Sequence, residues 1–407
     1  MFQTMRLNGG TMTPVSYSRV SLKDGFWKEV VRKNALVSLK NVYRRFAETG
    51  RFEAVRCVKK ENPPHIFFDS DVAKWLEAAA YLQKDYPDTE VRTIIDDTVR
   101  EIVKNQLPCG YFNSYYQVYK LDRIFMERTE HELYCAGHLI EAAVALDMCD
   151  VNHELLPAMS KYADYIYDRF YVKRDTGFTT CGHPEIELAL VRLYEHTGEK
   201  KYLKLAKFFL DERGTRAEDI YPWMDRDYDQ SHKPVREQRE AVGHSVRALY
   251  LYIAMADVGR LTDDAELVSV CRALFDDIVR SKLYITGGAG SGWYGERFTI
   301  PYDLPNSEAY AETCAAIALV FFCERLAKTG NSAAYHAVLE RALYNNILAG
   351  ESLDGKCFYY VNPLEADAKY ADYAHTVAGI PFKPLLERVE VFDCSCCLPI
   401  LCACLRR

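Results

Sequence analysis

Behind an extended lead-in from Val15 to Leu22, apolar residues recur three and four positions apart almost to the end of the chain, the spacing of one helix face after another. The helical stretches come in pairs. The first of each pair is amphipathic and charged: Gly25 to Glu48, Asp88 to Asn105, Leu155 to Tyr171, Lys200 to Asp211, Asp264 to Lys282 and Asn331 to Ala349. The second is apolar and richer in alanine: Asp71 to Gln83, Leu133 to Asp147, Pro184 to His196, Val242 to Val258, Ala309 to Lys328, and a last one beginning near Cys397. A helix polar on one face belongs at a surface, and one apolar nearly all round belongs inside. The alternation therefore predicts an all-α protein, an (α/α)6 toroid of inner helices ringed by outer ones, filling 21–407 behind an N-terminal lead-in of 1–20. Lys356 to Val361 and Arg388 to Phe392 read as short strands.

A helical solenoid would have repeats of similar length. The closed ring is preferred because polar, chemistry-bearing residues recur at the starts of the inner segments: Asp69 and Asp71, Gly137-His138, Gly182-His183, Gly243-His244 and Glu312. In a ring those ends converge on one mouth; in a solenoid they lie in a row.

Composition changes this picture little. A net charge of -7 and a pI near 5.9 leave no basic surplus for neutralising phosphates, which argues against nucleic-acid binding. No apolar run approaches the ~20 residues that span a bilayer. Met1 to Val20 has no apolar signal-peptide core, so a cytoplasmic protein is expected. Of the 14 cysteines, Cys109, Cys135, Cys149, Cys271 and Cys323 stand singly at apolar helical positions and read as reduced core residues.

Candidate chemistry concentrates between Gly295 and Cys314. The Gly-rich run Thr286 to Trp293 lacks the Lys-Ser/Thr of a phosphate loop, and its glycines are expected to let backbone approach a ligand. Glu312, Cys314, Cys396 and Cys397 make a plausible zinc shell, since zinc takes four ligands from thiolate, imidazole and carboxylate. Simple burial of the thiols remains open. Residues two apart on a helix diverge, as do neighbours, so both pairs could share a metal only in non-helical backbone at a segment's start, which Pro399 after the cysteine pair would favour. His138, His183 and His244 are either hydrogen-bonded core residues or a ring lining a ligand. Glu296, on a loop, is by itself a solvated carboxylate.

Taken together, Gly-Glu-Arg-Phe (295–298), Leu-Pro-Asn (304–306), Ala-Tyr-Ala-Glu-Thr-Cys-Ala (309–315), Tyr-Asn-Asn (344–346), Asn-Pro-Leu-Glu (362–365) and Cys396-Cys397 form a specific combination. It resembles glycoside hydrolase family 127, the β-L-arabinofuranosidase family, over essentially the whole chain. The resemblance implies an (α/α)6 barrel followed by β-sandwich domains. It also implies release of non-reducing terminal β-L-arabinofuranosyl residues with retention of configuration. In that reading Glu312, Cys314, Cys396 and Cys397 hold Zn2+, Cys396 is the nucleophile and Glu296 the general acid/base. His138, His183, His244 and Tyr360 would contact the sugar. Donating a proton requires a Glu296 pKa raised toward neutrality.

The chain departs from the family after Cys396-Cys397, running Leu398-Pro399-Ile400-Leu401-Cys402-Ala403-Cys404 to Arg407. A truncated or frame-shifted end is expected, with the sixth inner helix incomplete and the β-sandwich domains absent. Two alternatives stay in view: a carboxylate-only glycosidase pairing Glu296 with Asp303 or Glu308, and an inactive carbohydrate-binding relic. The partner is a small saccharide, and a homodimer is left open.

Overall fold

The structure is a computed structural model that describes residues 15, 20–330, 332–366, 368–369 and 387–390. Within them, five inner helices follow one another: Phe68–Asp85, Glu132–Met148, Ile186–Thr197, Ser245–Leu261 and Thr313–Thr329. Each packs on the next and on an outer partner. The outer layer comprises Phe26–Lys33 continued by Leu39–Glu48, then Thr89–Asn105, Leu155–Ile166, Lys200–Glu212, Ala265–Ser281 and Ala333–Ala342.

Burial follows the sequence pattern. Every residue from Asp69 to Leu82 of the first inner helix is buried. The outer helix Thr89–Asn105 buries only the stripe Val91, Ile95, Thr98, Val99 and Ile102. Removing each such aliphatic side chain from water contributes about 2 kcal/mol.

The outer layer closes on itself. Trp27 Nε1 donates to the Tyr344 hydroxyl at 2.9 Å, and Ser38 Oγ donates to Glu351 Oε1 at 2.9 Å. Lys33 Nζ pairs with Glu351 Oε2 at 3.0 Å. The first and last outer segments therefore touch, which a solenoid's ends would not, and the architecture is an all-α toroid. The predicted last inner helix lies outside the described residues, as do Cys396 and Cys397 and most of the lead-in.

The strands differ from expectation. The described residues hold two strands of two residues, β1 (Gly243–His244) and β2 (Arg297–Phe298), antiparallel with Gly243 opposite Phe298 and His244 opposite Arg297. Lys356 to Val361 is not a strand, because its partners change residue by residue. Phe358 bridges Glu351 and Val389, Tyr359 N donates to Gly350 O, and Val361 bridges Glu312. Of the second predicted strand, Val389 pairs with Phe358 and the part beyond Glu390 lies outside the described residues. Among the single cysteines, Cys135, Cys271 and Cys323 are buried, but Cys149 is half-buried and Cys109 is exposed. Cys109 falls in the turn after the helix ends at Asn105 rather than on its apolar face.

Candidate active site

The N-terminal ends of the five inner helices converge on one cavity of about 610 Å³. Ile66 and Phe67 precede the first helix, His131 the second, His183 the third and His244 the fourth, while Glu312 and Cys314 bracket the start of the fifth. All of these residues line the cavity.

His244 is placed by its predecessor. Gly243 has φ +69°, and a Cβ there would lie 1.7 Å from the Asp227 carbonyl oxygen, so glycine is required. The His244 ring then caps its own helix: Nδ1 accepts from Val246 N at 3.2 Å and from Arg247 N at 3.5 Å. A ring nitrogen that accepts carries no proton, so the neutral imidazole carries its proton on Nε2. That nitrogen lies 2.8 Å from Glu296 Oε2 and donates to it. Burial first, and the Arg247 guanidinium after it, depress the imidazole pKa below its usual value.

Glu296 stands on a tight hairpin. Gly292 and Arg297 exchange backbone hydrogen bonds at 3.0 Å each way. Gly295 and Glu296 between them have φ +72° and +52°. The left-handed conformation costs a non-glycine residue about 1–2 kcal/mol. It is held by the Glu296 carbonyl, which accepts from Ser245 N at 2.9 Å and Ser245 Oγ at 3.0 Å. Burial pushes the Glu296 carboxyl up, but His244, the Tyr310 hydroxyl and Arg247 outweigh it and hold the group below the usual carboxylate range. The expectation of a raised pKa is thus not met. The reason is that two hydrogen-bond donors and a cation face the carboxylate.

Glu312 is the N-cap of Thr313–Thr329, extended at φ -60° and ψ 138°, and bridges Val361; Thr313 N donates to Tyr360 O at 2.9 Å. The helix therefore begins between Glu312 and Cys314, which lets two residues spaced by two face one cavity. Tyr360 lines it from the adjoining segment.

His138 requires a correction. It does not start a helix: the second inner helix runs from Glu132 straight through Gly137. Glycine is present because a Cβ at 137 would lie 2.5 Å from Glu185 Cγ, so it serves close helix packing. His138 lies outside the cavity lining, with Nδ1 3.2 Å from Glu185 Oε1 and its ring 4.6 Å from that of Tyr134. Asp69 and Asp71 are structural: Asp69 accepts from Ser114 N at 2.7 Å, and Asp71 pairs with Arg51 at 2.7 Å. The Gly-rich loop also differs, since Gly287 abuts Ala342 and Gly290 abuts Ser245, leaving room for protein rather than ligand.

Several lining residues escaped the sequence reading. Arg247 donates to Gly182 O at 2.5 Å and stacks 4.6 Å over the Tyr228 ring. Lys74 Nζ meets the Tyr134 hydroxyl at 2.7 Å. His131, whose pKa burial depresses to about 3, sits on the wall beside Tyr134 and His183. Its signal was available, since it stands two residues before the apolar run that begins at Leu133.

For a metal, the ligand atoms of His244, Glu296 and Glu312 lie within 4.8 Å of one another, a spacing that can hold an ion. The tautomer speaks against His244 as a ligand, because Nδ1 accepts from backbone and Nε2 bears the proton. Glu312 and Cys314 do fit: a carboxylate and a thiol at one helix start, both facing the cavity, are a donor set that suits zinc. Cys396 and Cys397, the other two candidates, lie outside the described residues.

The family model described as "Beta-L-arabinofuranosidase, GH127 catalytic domain" matches residues 19–405. A non-reducing end beta-L-arabinofuranosidase of Bifidobacterium longum subsp. longum is 39% identical over 354 residues, covering 82% of this chain and 53% of that protein. A GH127 beta-L-arabinofuranosidase from Geobacillus stearothermophilus superposes with TM-score 0.89 at 41% identity, covering 95% of this chain and 64% of that one. A second GH127 beta-arabinofuranosidase gives 0.86 at 36% identity, covering 97% and 61%. The chain thus spans about half the length of the curated relative it matches. With the match running through nearly all of its residues, the chain belongs to the beta-L-arabinofuranosidase GH127 catalytic-domain family.

Proposed function

We propose that this chain forms, over 21–407, the catalytic domain of a retaining glycosidase that releases non-reducing terminal β-L-arabinofuranosyl residues. The observation that carries the reading is the placing of Glu296, His183, His244 and the Glu312–Cys314 helix start around one cavity large enough for a sugar. Glu312, Cys314, Cys396 and Cys397 would hold zinc, which when bound keeps a cysteine thiol deprotonated at neutral pH. Cys396 is the nucleophile that attacks the anomeric carbon, in the place an ordinary retaining enzyme gives to a second carboxylate. Glu296 protonates the departing oxygen, then takes a proton from the water that hydrolyses the glycosyl-cysteine. Seating the sugar strips water from Glu296 and moves its carboxyl toward the protonated form that the first step needs. His183 directs Nδ1 to Pro184 O at 2.9 Å, which leaves Nε2 to accept from a sugar hydroxyl.

A second reading rests on one observation. Carboxylate oxygens of Glu296 and Glu312 lie within 4.8 Å, close to the separation of a two-carboxylate retaining pair, which would make Glu312 the nucleophile. Asp303 and Glu308 cannot serve, since both are exposed and outside the cavity lining. The test is hydrolysis of p-nitrophenyl β-L-arabinofuranoside followed by proton NMR. First appearance of the β-anomer of arabinose supports the retaining reading; first appearance of the α-anomer, or no hydrolysis, contradicts it.

A further inference from the structure

Resting on that reading of the cavity, we propose that Trp223 is the platform of a second sugar subsite, on the leaving-group side. Trp223 lines the cavity yet is 62% exposed as a residue, the condition of an aromatic side chain awaiting a partner. One face is taken: Trp223 and Tyr221 stack at 5.3 Å and 22°.

Nothing about the segment suggests that this exposure is accidental, because the strap that carries it is tied down on every side. Glu218 accepts from the backbone of Thr179 and Thr180 and from the Thr180 hydroxyl. The Tyr221 hydroxyl donates to Thr129 O at 2.9 Å. Asp225 accepts two bonds from Arg297, at 2.7 and 3.0 Å. The Tyr294 hydroxyl donates to the carbonyl of Trp223 itself. An aromatic ring stacked on one face and carried by an anchored strap has less conformational entropy to lose when a ligand arrives, which favours binding.

The side of the cavity follows from the neighbours. Arg297 and Tyr294 flank Glu296 on the hairpin, and a Cβ at Gly295 would meet the Met224 side chain at 3.3 Å. The strap thus lies against the wall that bears Glu296. Because Glu296 delivers its proton to the departing oxygen, the leaving group lies on that wall, over Trp223. An indole offers the apolar C–H face of a sugar ring a flat surface, and discriminates a leaving group that is a ring from one that is a methyl group.

Binding separates this proposal from the turnover reading. The Glu296→Gln variant is titrated calorimetrically with a β-L-arabinofuranosyl disaccharide and with methyl β-L-arabinofuranoside, with and without Trp223→Ala. The platform predicts that Trp223→Ala weakens the disaccharide at least tenfold more than the methyl glycoside, and that Trp223→Phe recovers part of the difference. Equal weakening of both ligands, no weakening of the disaccharide, or no disaccharide binding by Glu296→Gln would overturn it. If wild type hydrolyses neither compound while the tenfold selectivity persists, the enzymatic reading fails and the platform stands.

Discussion

His244 serves Glu296 with one ring nitrogen and its own helix with the other: Nε2 lies 2.8 Å from the Glu296 carboxylate while Nδ1 accepts from Val246 N and Arg247 N. The helix cap thereby fixes the tautomer, and the tautomer makes the imidazole a donor to the carboxylate. A fold contact and a proton position are set by the same side chain.

Asparagine at 244 keeps a capping acceptor but is too short to reach Glu296. His244→Asn removes a donor that holds the Glu296 carboxyl low, so that pKa rises. The alkaline limb of the kcat/KM profile, which reports the acid in the free enzyme, moves to higher pH. A limb that stays in place or moves down would show that His244 does not tune Glu296.

Glu296→Gln keeps the size of the side chain and its contact with His244 but removes the transferable proton. The kcat for an alkyl or sugar leaving group falls by about 10²–10⁴. The loss at the first step is much smaller for p-nitrophenolate, which departs without protonation. A uniform loss on both substrate types would contradict the acid role.

Gly243→Ala places a Cβ against the Asp227 carbonyl at a residue with φ +69°, and is expected to destabilise the fold by about 3 kcal/mol. Gly198→Ala is the control. It has φ +77° but nothing within 4 Å, so only the backbone cost of about 1 kcal/mol applies. Urea unfolding of both variants measures the difference, and equal losses would refute the steric account of Gly243.

Glu132 lies at the foot of the second inner helix, accepting from Phe125 N at 2.9 Å and from the Tyr111 hydroxyl at 2.6 Å. Burial raises its carboxyl from 4.5 to about 8. The protonated form is thus favoured by folding, so the contribution is fully present below pH 4.5 and is lost as pH rises toward 8. The loss amounts to a few kcal/mol, because each pH unit between those two values is worth roughly 1.4 kcal/mol. Glu132→Gln should flatten the melting temperature between pH 5 and 8; an unchanged slope would assign that pH dependence elsewhere.

The ring was legible in the sequence because helical periodicity is local: Asp69 to Leu82 are buried all round, and the outer stripes recur at three and four residues. The convergence of the inner-helix starts followed from it. What failed was also physical. Gly137 suggested a helix start at His138, but glycine is equally the residue of close helix packing, and only Glu185 pressed against it decides between the two. The pairing of His244 with Glu296 depends on two strands of two residues each, too short to carry a period. Trp223 and Tyr221 sit on a segment whose anchors lie as far away as Thr129, a contact no local pattern announces.

The central claim is that turnover depends on a metal-held cysteine rather than on two carboxylates. Zinc per chain and hydrolysis of p-nitrophenyl β-L-arabinofuranoside should be measured together on the reduced protein, for wild type, Cys396→Ser and Cys314→Ser. One zinc per chain with turnover in the wild type, and turnover lost in both variants, is the predicted result. Turnover by protein that holds no zinc, undiminished in Cys396→Ser, would contradict the account and leave Glu296 and Glu312 as the reacting pair.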